Sequence, residues 1–240
     1  MERIMLEIKN LTKSYDGKKN AVNDLTLTIN DGEIFGFIGH NGAGKTTTIK
    51  CAVGILTFDK GDILIDGKSI KEYPIECKKK IAYIPDNPDM YEQLTAIQYL
   101  NFIGDIYEIS KEDRKERIEK YANVFKLNEN LGDIISSFSH GMKQKLALIS
   151  AFIREPKLLV LDEPFVGLDP KASFDVKELM RELCKKGSSI FFSTHVLEVA
   201  EKLCDKVAII NNGNLVVFGT MEEVKGNKSL EDVFLEQINE

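Results

Sequence analysis

One segment near the start of the chain has the residue types and spacing of a phosphate-binding loop. Residues 39–46 read GHNGAGKT and fit the pattern GxxxxGK[ST]. They lie between an apolar run that ends at Ile38 and a predicted helix that begins near Lys45, which is the context that such a loop requires. The glycines let successive backbone N–H groups point at phosphate oxygens, at the positive end of the helix. We predict that this loop holds the phosphates of a nucleotide.

Lys45 and Thr46 complete the predicted phosphate site. The Lys45 ammonium is expected to reach the β- and γ-phosphates, and the Thr46 hydroxyl is expected to ligate Mg²⁺, which takes oxygen donors. The residues that we expect to contact the nucleotide here are Gly39, Asn41, Gly42, Ala43, Gly44, Lys45, Thr46 and Thr47.

Two carboxylates follow a second apolar run much later in the chain. Asp162 and Glu163 come directly after Leu158–Leu161, and an acidic pair at the end of a buried strand is costly unless it faces a pocket or a metal. If this strand is a parallel neighbour of the strand before the phosphate loop, Asp162 lies at the same edge of the sheet. We therefore expect Asp162 to hold Mg²⁺, directly or through water, and Glu163 to orient or deprotonate the attacking water.

The apolar pattern predicts the elements that position these residues. Continuous apolar runs at 34–38, 158–161 and 189–193 indicate strands that are buried on both faces of a parallel sheet. Alternating patterns at 5–8 and 25–29 indicate half-buried strands, and 207–210 with 215–218 indicate two strands joined by a tight turn. Residues from about 90 to 155 have helical spacing, with Ser110 capping a helix over 111–125 and another helix starting at Ser139. An α/β core with an inserted helical part is the predicted organisation.

Composition excludes several other classes of protein. The 240 residues are 43% hydrophobic and 29% charged, which argues against disorder and fibrous structures. The net charge of −6 argues against nucleic acid as a partner. The four cysteines have no metal-ligand spacing and are expected to be reduced. Neither a secretory signal nor an apolar run of about 18 residues is seen. We therefore expect a cytoplasmic protein.

The motifs together resemble those of the ATP-binding-cassette (ABC) ATPases, the motor subunits of ABC transporters. Tyr15 matches the aromatic that stacks on adenine, although by itself it could be an ordinary strand-end aromatic. Residues 138–144 match the signature LSGGQ, 167–169 match the D-loop, and 193–195 match the segment that carries the switch histidine. The resemblance implies a P-loop NTPase (RecA-like) α/β core with an N-terminal antiparallel β subdomain. It implies that 1–225 form the nucleotide-binding domain, with a helical subdomain at about 87–157, and that 226–240 form a short helical tail.

The resemblance also implies roles for residues outside the phosphate loop. His195 is expected to be catalytic together with Glu163 and Lys45. The residues expected to contact a nucleotide are Tyr15, Ser139, Gly141 and Asp169. Of these, Ser139 and Gly141 are expected to contact the nucleotide that is bound to a second subunit. Two departures are notable: His140 and Met142 replace a glycine and the glutamine of the signature, and Asp86 replaces the glutamine of the Q-loop. A carboxylate at 86 can ligate Mg²⁺ but cannot donate a hydrogen bond.

The implied function is an ATPase that uses ATP and Mg²⁺, dimerises head to tail, and drives a separate transmembrane permease from the inner face of the membrane. Residues 86–95, 139–144 and 229–235 look most like the bacterial ABC-2 export branch. One alternative is a non-transport ABC ATPase that acts as an ATP-dependent switch on other machinery. A GTPase is a weaker alternative, because no NKxD-type motif is present.

Overall fold

Two β-sheets and their surrounding helices make up the computed structural model, which describes residues 3–239. Strands β1 (Ile4–Ser14), β2 (Asn20–Asn30), β4 (Lys60–Ile65) and β5 (Lys68–Ser69) form an antiparallel sheet in the order β2-β1-β4-β5. Strands β3 (Ile34–Ile38), β6 (Ile81–Ile84), β7 (Leu158–Asp162), β8 (Ser189–Thr194), β9 (Lys206–Asn211) and β10 (Asn214–Thr220) form a second sheet in the order β10-β9-β3-β8-β7-β6. The second sheet is parallel except for β10, which pairs antiparallel with β9.

The central strands are buried on both faces, as their continuous apolar runs predict. Successive residues of β7 alternate between two cores: Leu159 and Leu161 pack in the core on the side of the helical subdomain, whereas Val160 packs in the core beneath the antiparallel sheet. Phe191 of β8 adds to the second core, with its ring centroid 5.6 Å from that of Phe37. Asp162, two residues after Val160, therefore lies on the face that the antiparallel sheet covers.

The strand order corrects one expectation. We predicted that β7, the strand before the acidic pair, lies directly beside β3, the strand before the phosphate loop. This prediction is wrong, because β8 lies between β3 and β7 and pairs with both. All three strands are parallel, so their carboxyl ends still meet at one edge of the sheet. The phosphate loop and Asp162 are therefore brought together, with residues of β8 between them.

Helices cover both sheets. They are α1 (Lys45–Ala52), α2 (Pro74–Lys80), α3 (Ala96–Ile106), α4 (Lys111–Phe125), α5 (His140–Phe152), α6 (Pro170–Lys185), α7 (Leu197–Leu203), α8 (Met221–Lys225) and α9 (Leu230–Asn239), with 3₁₀ turns at Asn128–Asn130 and Ile135–Ser137. The α/β P-loop core, the antiparallel β subdomain and the inserted helical subdomain are thus confirmed.

Side-chain caps set the starts of the helices in the middle of the chain. Ser110 accepts a hydrogen bond from a backbone N–H in the first turn of α4, and Ser139 does the same for α5, as predicted. Thr95 and Gln98 form a reciprocal capping box, which sets the start of α3 at Ala96. These caps satisfy N–H groups that have no partner inside the helix.

The last helix, α9, packs against α7 and β9 of the parallel-sheet domain. Leu230, the first residue of α9, is buried, and its N–H donates to Glu201 Oε2 of α7 at 3.1 Å. The predicted tail, 226–240, contains this helix, although residue 240, like residues 1 and 2, lies outside the described residues. Within residues 3–239, no helix has the length and apolar character needed to span a bilayer.

Candidate nucleotide-binding site

The phosphate loop connects β3 to α1 and depends on glycine at its close approaches. Gly44 has a φ of 111°, in the left-handed region, and a Cβ on it would lie 2.5 Å from the carbonyl oxygen of Ala21. A Cβ on Gly39 would lie 2.6 Å from the carbonyl oxygen of Ile210. A side chain at either position would push the loop away from β2 or β9, so glycine is required for the backbone conformation.

Lys45 lies beneath this loop with its ammonium at the centre of the site. Its side chain is almost completely buried, with a residue exposure of 6%. The Nζ donates to the carbonyl oxygens of Gly39 at 2.7 Å and His40 at 3.3 Å, and it lies 3.3 Å from Glu163 Oε1. The cation therefore joins the phosphate loop to the carboxylate that follows β7.

A cavity of about 370 Å³ opens above this lysine and is lined by most of the residues that we predicted to contact the nucleotide. Tyr15 stands at its rim, 66% exposed, with its hydroxyl oxygen 3.2 Å from Thr47 Oγ1. The lining residues are Tyr15, Ala21, His40, Asn41, Gly42, Gly44, Lys45, Thr46, Thr47, Asp86 and Glu163. The structure thus brings Asp86, which precedes the helical subdomain, to the same cavity as the phosphate loop and Glu163.

The two carboxylates after β7 have different surroundings. Asp162 is 1% exposed and accepts a hydrogen bond of 2.5 Å from the Ser193 hydroxyl. Glu163 has a φ of 49°, and its N–H donates to Ser193 Oγ at 3.0 Å. His195 Nδ1 lies 3.0 Å from Glu163 Oε2. Glu163 is therefore held between His195 on one side and Lys45 on the other.

Three predicted contact residues lie elsewhere in this chain. Ser139 and Gly141 are at the start of α5. The residues that line the cavity in the described part of the chain include neither of them, nor Asp169. Asp169 instead caps α6 through the Ala172 N–H at 2.9 Å and lies 2.8 Å from Lys145 Nζ. Both of its carboxylate oxygens are therefore engaged within the chain.

Sequence reasoning missed Tyr83 and the role of Ser193. Tyr83 on β6 pairs in register with Val160, so it lies on the same face of the sheet as Asp162. Its hydroxyl is buried and has no hydrogen-bond partner among the described residues. Burial raises the pKa of Tyr83, and Asp162 and Asp86 raise it further. A tyrosine in an otherwise apolar strand, close to the acidic strand, was the available signal.

The Lys145 ammonium controls the ionisation of Asp169. Its hydrogen bond is the largest of the effects that lower the pKa of Asp169 from the ordinary 3.8 to about 2, and the Ala172 N–H adds to it. A carboxyl whose pKa is lower in the folded state stabilises that state above its unfolded pKa. This contribution is present above about pH 4 and is lost as the pH falls toward 2.

Replacement of Lys145 with alanine should therefore move the pKa of Asp169 upward from about 2 toward 3.8. The reason is that the main donor to the ionised carboxylate is removed. Carbon-13 NMR titration of the aspartate carboxyl groups measures the change. Lys143→Ala is the matched control, because Lys143 is on the same helix but pairs with Glu92. An unaltered Asp169 titration in Lys145→Ala would contradict the assignment.

The glycine-rich loop between β3 and α1 faces carboxylates at the carboxyl edge of a parallel sheet. This arrangement defines a P-loop nucleotide-binding protein. Comparison with known proteins specifies the family. The profile of the ABC transporter family matches residues 22–166, and the chain belongs to that family. Its members are ATPases, and the chain is accordingly an ATP-binding, ATP-hydrolysing subunit of an ABC transporter.

Individual relatives support this assignment over almost the full chain. The ABC-type transporter ATP-binding protein EcsA of Bacillus subtilis (strain 168) is 36% identical over 234 residues, which cover 98% of this chain and 94% of EcsA. A solved ATP-binding subunit of an ABC transporter superimposes with a TM-score of 0.93 at 36% identity, covering 97% of this chain and 99% of that one. CbiO1 of Clostridium perfringens, part of the ABC transporter complex cbiONQ, superimposes with a TM-score of 0.80 at 25% identity, covering 98% and 96%.

Proposed function

We propose that residues 1–225 bind ATP with Mg²⁺ in the cavity above Lys45, and that hydrolysis there drives a separate membrane permease. The observation that carries this proposal is the line of contacts from the phosphate loop through Lys45 to Glu163 and His195. In the proposed complex the Lys45 ammonium would lie beside the phosphate charge, with the Glu163 carboxylate next to it. The Tyr15 ring, exposed at the rim, offers a flat face to the adenine base.

Oxygen-bearing residues in the cavity and directly beside it fit a magnesium ion. The candidate ligands are the Thr46 hydroxyl and the carboxylates of Asp162 and Asp86, an oxygen-only set of the kind that Mg²⁺ prefers. The Tyr83 hydroxyl is buried without a hydrogen-bond partner among the described residues, as expected of a polar group beside a bound ligand. Glu163 Oε1 is also buried, and its ion pair with Lys45 leaves it without a hydrogen bond in the described part of the chain. When bound, Mg²⁺ neutralises phosphate charge and helps to orient the reacting groups.

Glu163 is the proposed acceptor of the proton from the attacking water. Its Oε2 is oriented by His195 Nδ1, while its Oε1 lies near Lys45. Two contacts restrict the carboxylate to one orientation, which favours proton transfer at a defined position. His195 is about half exposed at the mouth of the site, so we assign to it a role in orienting Glu163 and the γ-phosphate.

A second copy or a related subunit is proposed to complete the site. Ser139 and Gly141 lie at the exposed N-terminal end of the 13-residue α5, where backbone N–H groups attract anions. Because they are outside the cavity of their own chain, we propose that they contact ATP bound to the partner subunit in a head-to-tail dimer. ATP must then bind the closed dimer more tightly than the open form, and hydrolysis reverses that preference.

The permease is proposed to dock on an exposed groove between α2 and α3. Its volume is about 340 Å³, and it is lined by Ile75, Lys78, Lys79, Ile106, Tyr107 and Glu108. Ile75 is 72% exposed and Ile106 is 53% exposed, so two large apolar side chains face solvent in the same groove. An apolar helix end with an acidic side chain toward Lys78 and Lys79 fits this groove. The membership of CbiO1 in a multi-subunit transporter complex supports a partner of this kind.

The direction of transport is proposed to be export. The support is the similarity of residues 86–95, 139–144 and 229–235 to the ABC-2 branch. In this arrangement the chain is cytoplasmic and is held at the inner face of the membrane by the permease. Recovery of a polytopic membrane subunit with the tagged chain from a detergent extract tests the partnership, and repeated failure to recover one would contradict it.

Asp86 is expected to link the nucleotide to the permease. The variant Asp86→Gln removes one carboxylate from the proposed metal site and introduces an amide donor, so we expect the Mg²⁺ requirement and the permease-stimulated ATPase rate each to change by about threefold or more. Titration of the purified complex with Mg²⁺ measures both. Asp89→Asn, an exposed change in the same loop, is the control. If Asp86→Gln behaves like this control, Asp86 is only a loop residue.

A further inference from the structure

Ser193 lies between the two catalytic elements and is completely buried. It is the next-to-last residue of β8, the strand that separates β3 from β7, and it pairs in register with Asp162. Its hydroxyl donates to Asp162 Oδ1 at 2.5 Å and accepts the Glu163 N–H at 3.0 Å. One hydroxyl therefore contacts both residues of the acidic pair.

The contact with Asp162 has no substitute in the described part of the chain. Within residues 3–239, no lysine, arginine or histidine lies within 4.0 Å of this carboxylate, which is almost fully buried. A buried carboxylate without a cation needs hydrogen-bond donors, and an O–H donor to a charged oxygen is short and strong. The Ser193 hydroxyl holds Oδ1 and leaves Oδ2 as the oxygen that can face a metal ion.

The contact with Glu163 fixes the turn that follows β7. A glutamate with a φ of 49° is in a sparsely populated backbone conformation, which persists only where the surroundings hold it. Its N–H is anchored on Ser193 Oγ, and its side chain is thereby directed toward Lys45 and His195. Loss of the hydroxyl removes the anchor as well as the donor to Asp162.

We propose that Ser193 is a positioning residue of the ATPase site, which orients Asp162 toward the divalent cation and Glu163 toward the attacking water. This inference rests on the proposed function, because it requires a metal held by Asp162. In this role β8 does more than separate β3 from β7, because its residue Ser193 sets the orientation of both carboxylates.

Ser189 provides a matched control on the same strand. It is also completely buried, its hydroxyl also donates to one acceptor, the Asn30 carbonyl at 2.9 Å, and it also accepts one backbone N–H, that of Gly32 at 3.1 Å. It lies at the opposite end of β8 from the site. Ser189→Ala therefore removes the same number of hydrogen bonds and leaves the acidic pair untouched.

The test measures Mn²⁺ binding to the full chain loaded with a non-hydrolysable ATP analogue, by electron paramagnetic resonance of free Mn²⁺. We expect Ser193→Ala to weaken Mn²⁺ binding by about tenfold, the usual effect of losing a hydrogen bond to a metal ligand. Ser189→Ala should bind Mn²⁺ as the wild type does, while its melting temperature falls as much as that of Ser193→Ala. Ser193→Thr, which keeps the hydroxyl, should restore Mn²⁺ affinity to within about twofold of the wild type.

A cysteine variant and a binding measurement without metal separate a loss of metal affinity from a failure to fold. If Ser193→Ala does not fold, Ser193→Cys preserves the volume with a poor donor and should show the same weakening. Binding of the analogue in EDTA should be the same in all variants. Equal Mn²⁺ affinity in the Ser193→Ala and Ser189→Ala proteins would overturn the positioning role alone. A wild type that binds analogue but no Mn²⁺ would overturn the proposed metal site and the positioning role together.

Discussion

Substitution of Glu163 by glutamine is expected to slow ATP hydrolysis by a factor of about 10² or more, because general-base catalysis contributes about 10²–10⁴. The amide has nearly the same shape as the carboxylate but cannot take up a proton from water. ATP binding should persist, since the phosphate loop and Lys45 are unchanged. Phosphate release at saturating ATP and Mg²⁺ measures the rate, and size-exclusion chromatography with ATP should show that the stalled protein accumulates as a dimer.

A matched variant separates this effect from a general loss of charge. Glu178→Gln changes an exposed glutamate of α6 that pairs with Arg181, far from the phosphate loop in the chain. It should hydrolyse ATP at the wild-type rate and should not accumulate as a dimer. Wild-type turnover in Glu163→Gln would show that another group activates the water, and it would remove the main support for the proposed mechanism.

The proposed dimer, which this variant should trap, would account for the position of Ser139 and its neighbours outside the cavity of their own chain. Ser139 caps its own helix through the Met142 N–H, at 3.3 Å, and is exposed. His140 packs against Gly167, where a Cβ would lie 2.8 Å from the imidazole ring. The start of α5 and the loop that leads from Glu163 to Asp169 are therefore in contact within one chain. If a partner's ATP binds at Ser139 and Gly141, as proposed, it would lie close to this loop.

Local sequence patterns correctly predicted the strand–loop–helix at 34–52, the buried strands and the starts of α4 and α5, for a physical reason. The turn at Gly44 and the cap at Ser139 depend on neighbouring residues in the chain, and β3 and β7 are recognised by apolar character on both faces. These features can be predicted from the local sequence alone, because they do not depend on which distant segments of the chain are in contact.

The strand order and the contacts across it could not be predicted in the same way. Ser193 meets Asp162 only because β8 inserts beside β7 in one particular register, and a slip of one residue would turn its hydroxyl to the opposite face. Lys145 likewise meets Asp169, 24 residues further along the chain, because the middle of α5 lies beside the N-terminal end of α6. The assignment of Asp169 to the nucleotide rests on the match of residues 167–169 to the D-loop, and the local sequence gives no sign of the ion pair with Lys145.

Lys45→Ala is expected to weaken ATP binding by about 10² or more, because a buried ammonium that makes charge-assisted hydrogen bonds to phosphate is lost. A fluorescent ATP analogue measures the affinity. Lys50→Ala changes a partly exposed lysine in the last turn of the same helix α1; this variant is the control and should bind as the wild type does. Unchanged binding in Lys45→Ala would refute the assignment of the phosphate loop.

Lys45 has a second effect that must be separated from the first. It lies 3.3 Å from Glu163 Oε1, so its removal leaves a partly buried carboxylate with only His195 beside it. Such a carboxylate destabilises the fold, and a fall in the melting temperature of Lys45→Ala is therefore expected. The double variant Lys45→Ala with Glu163→Gln removes that uncompensated charge and should recover stability without recovering ATP affinity. If affinity returned with stability, the lysine would act by supporting the fold and not by binding phosphate.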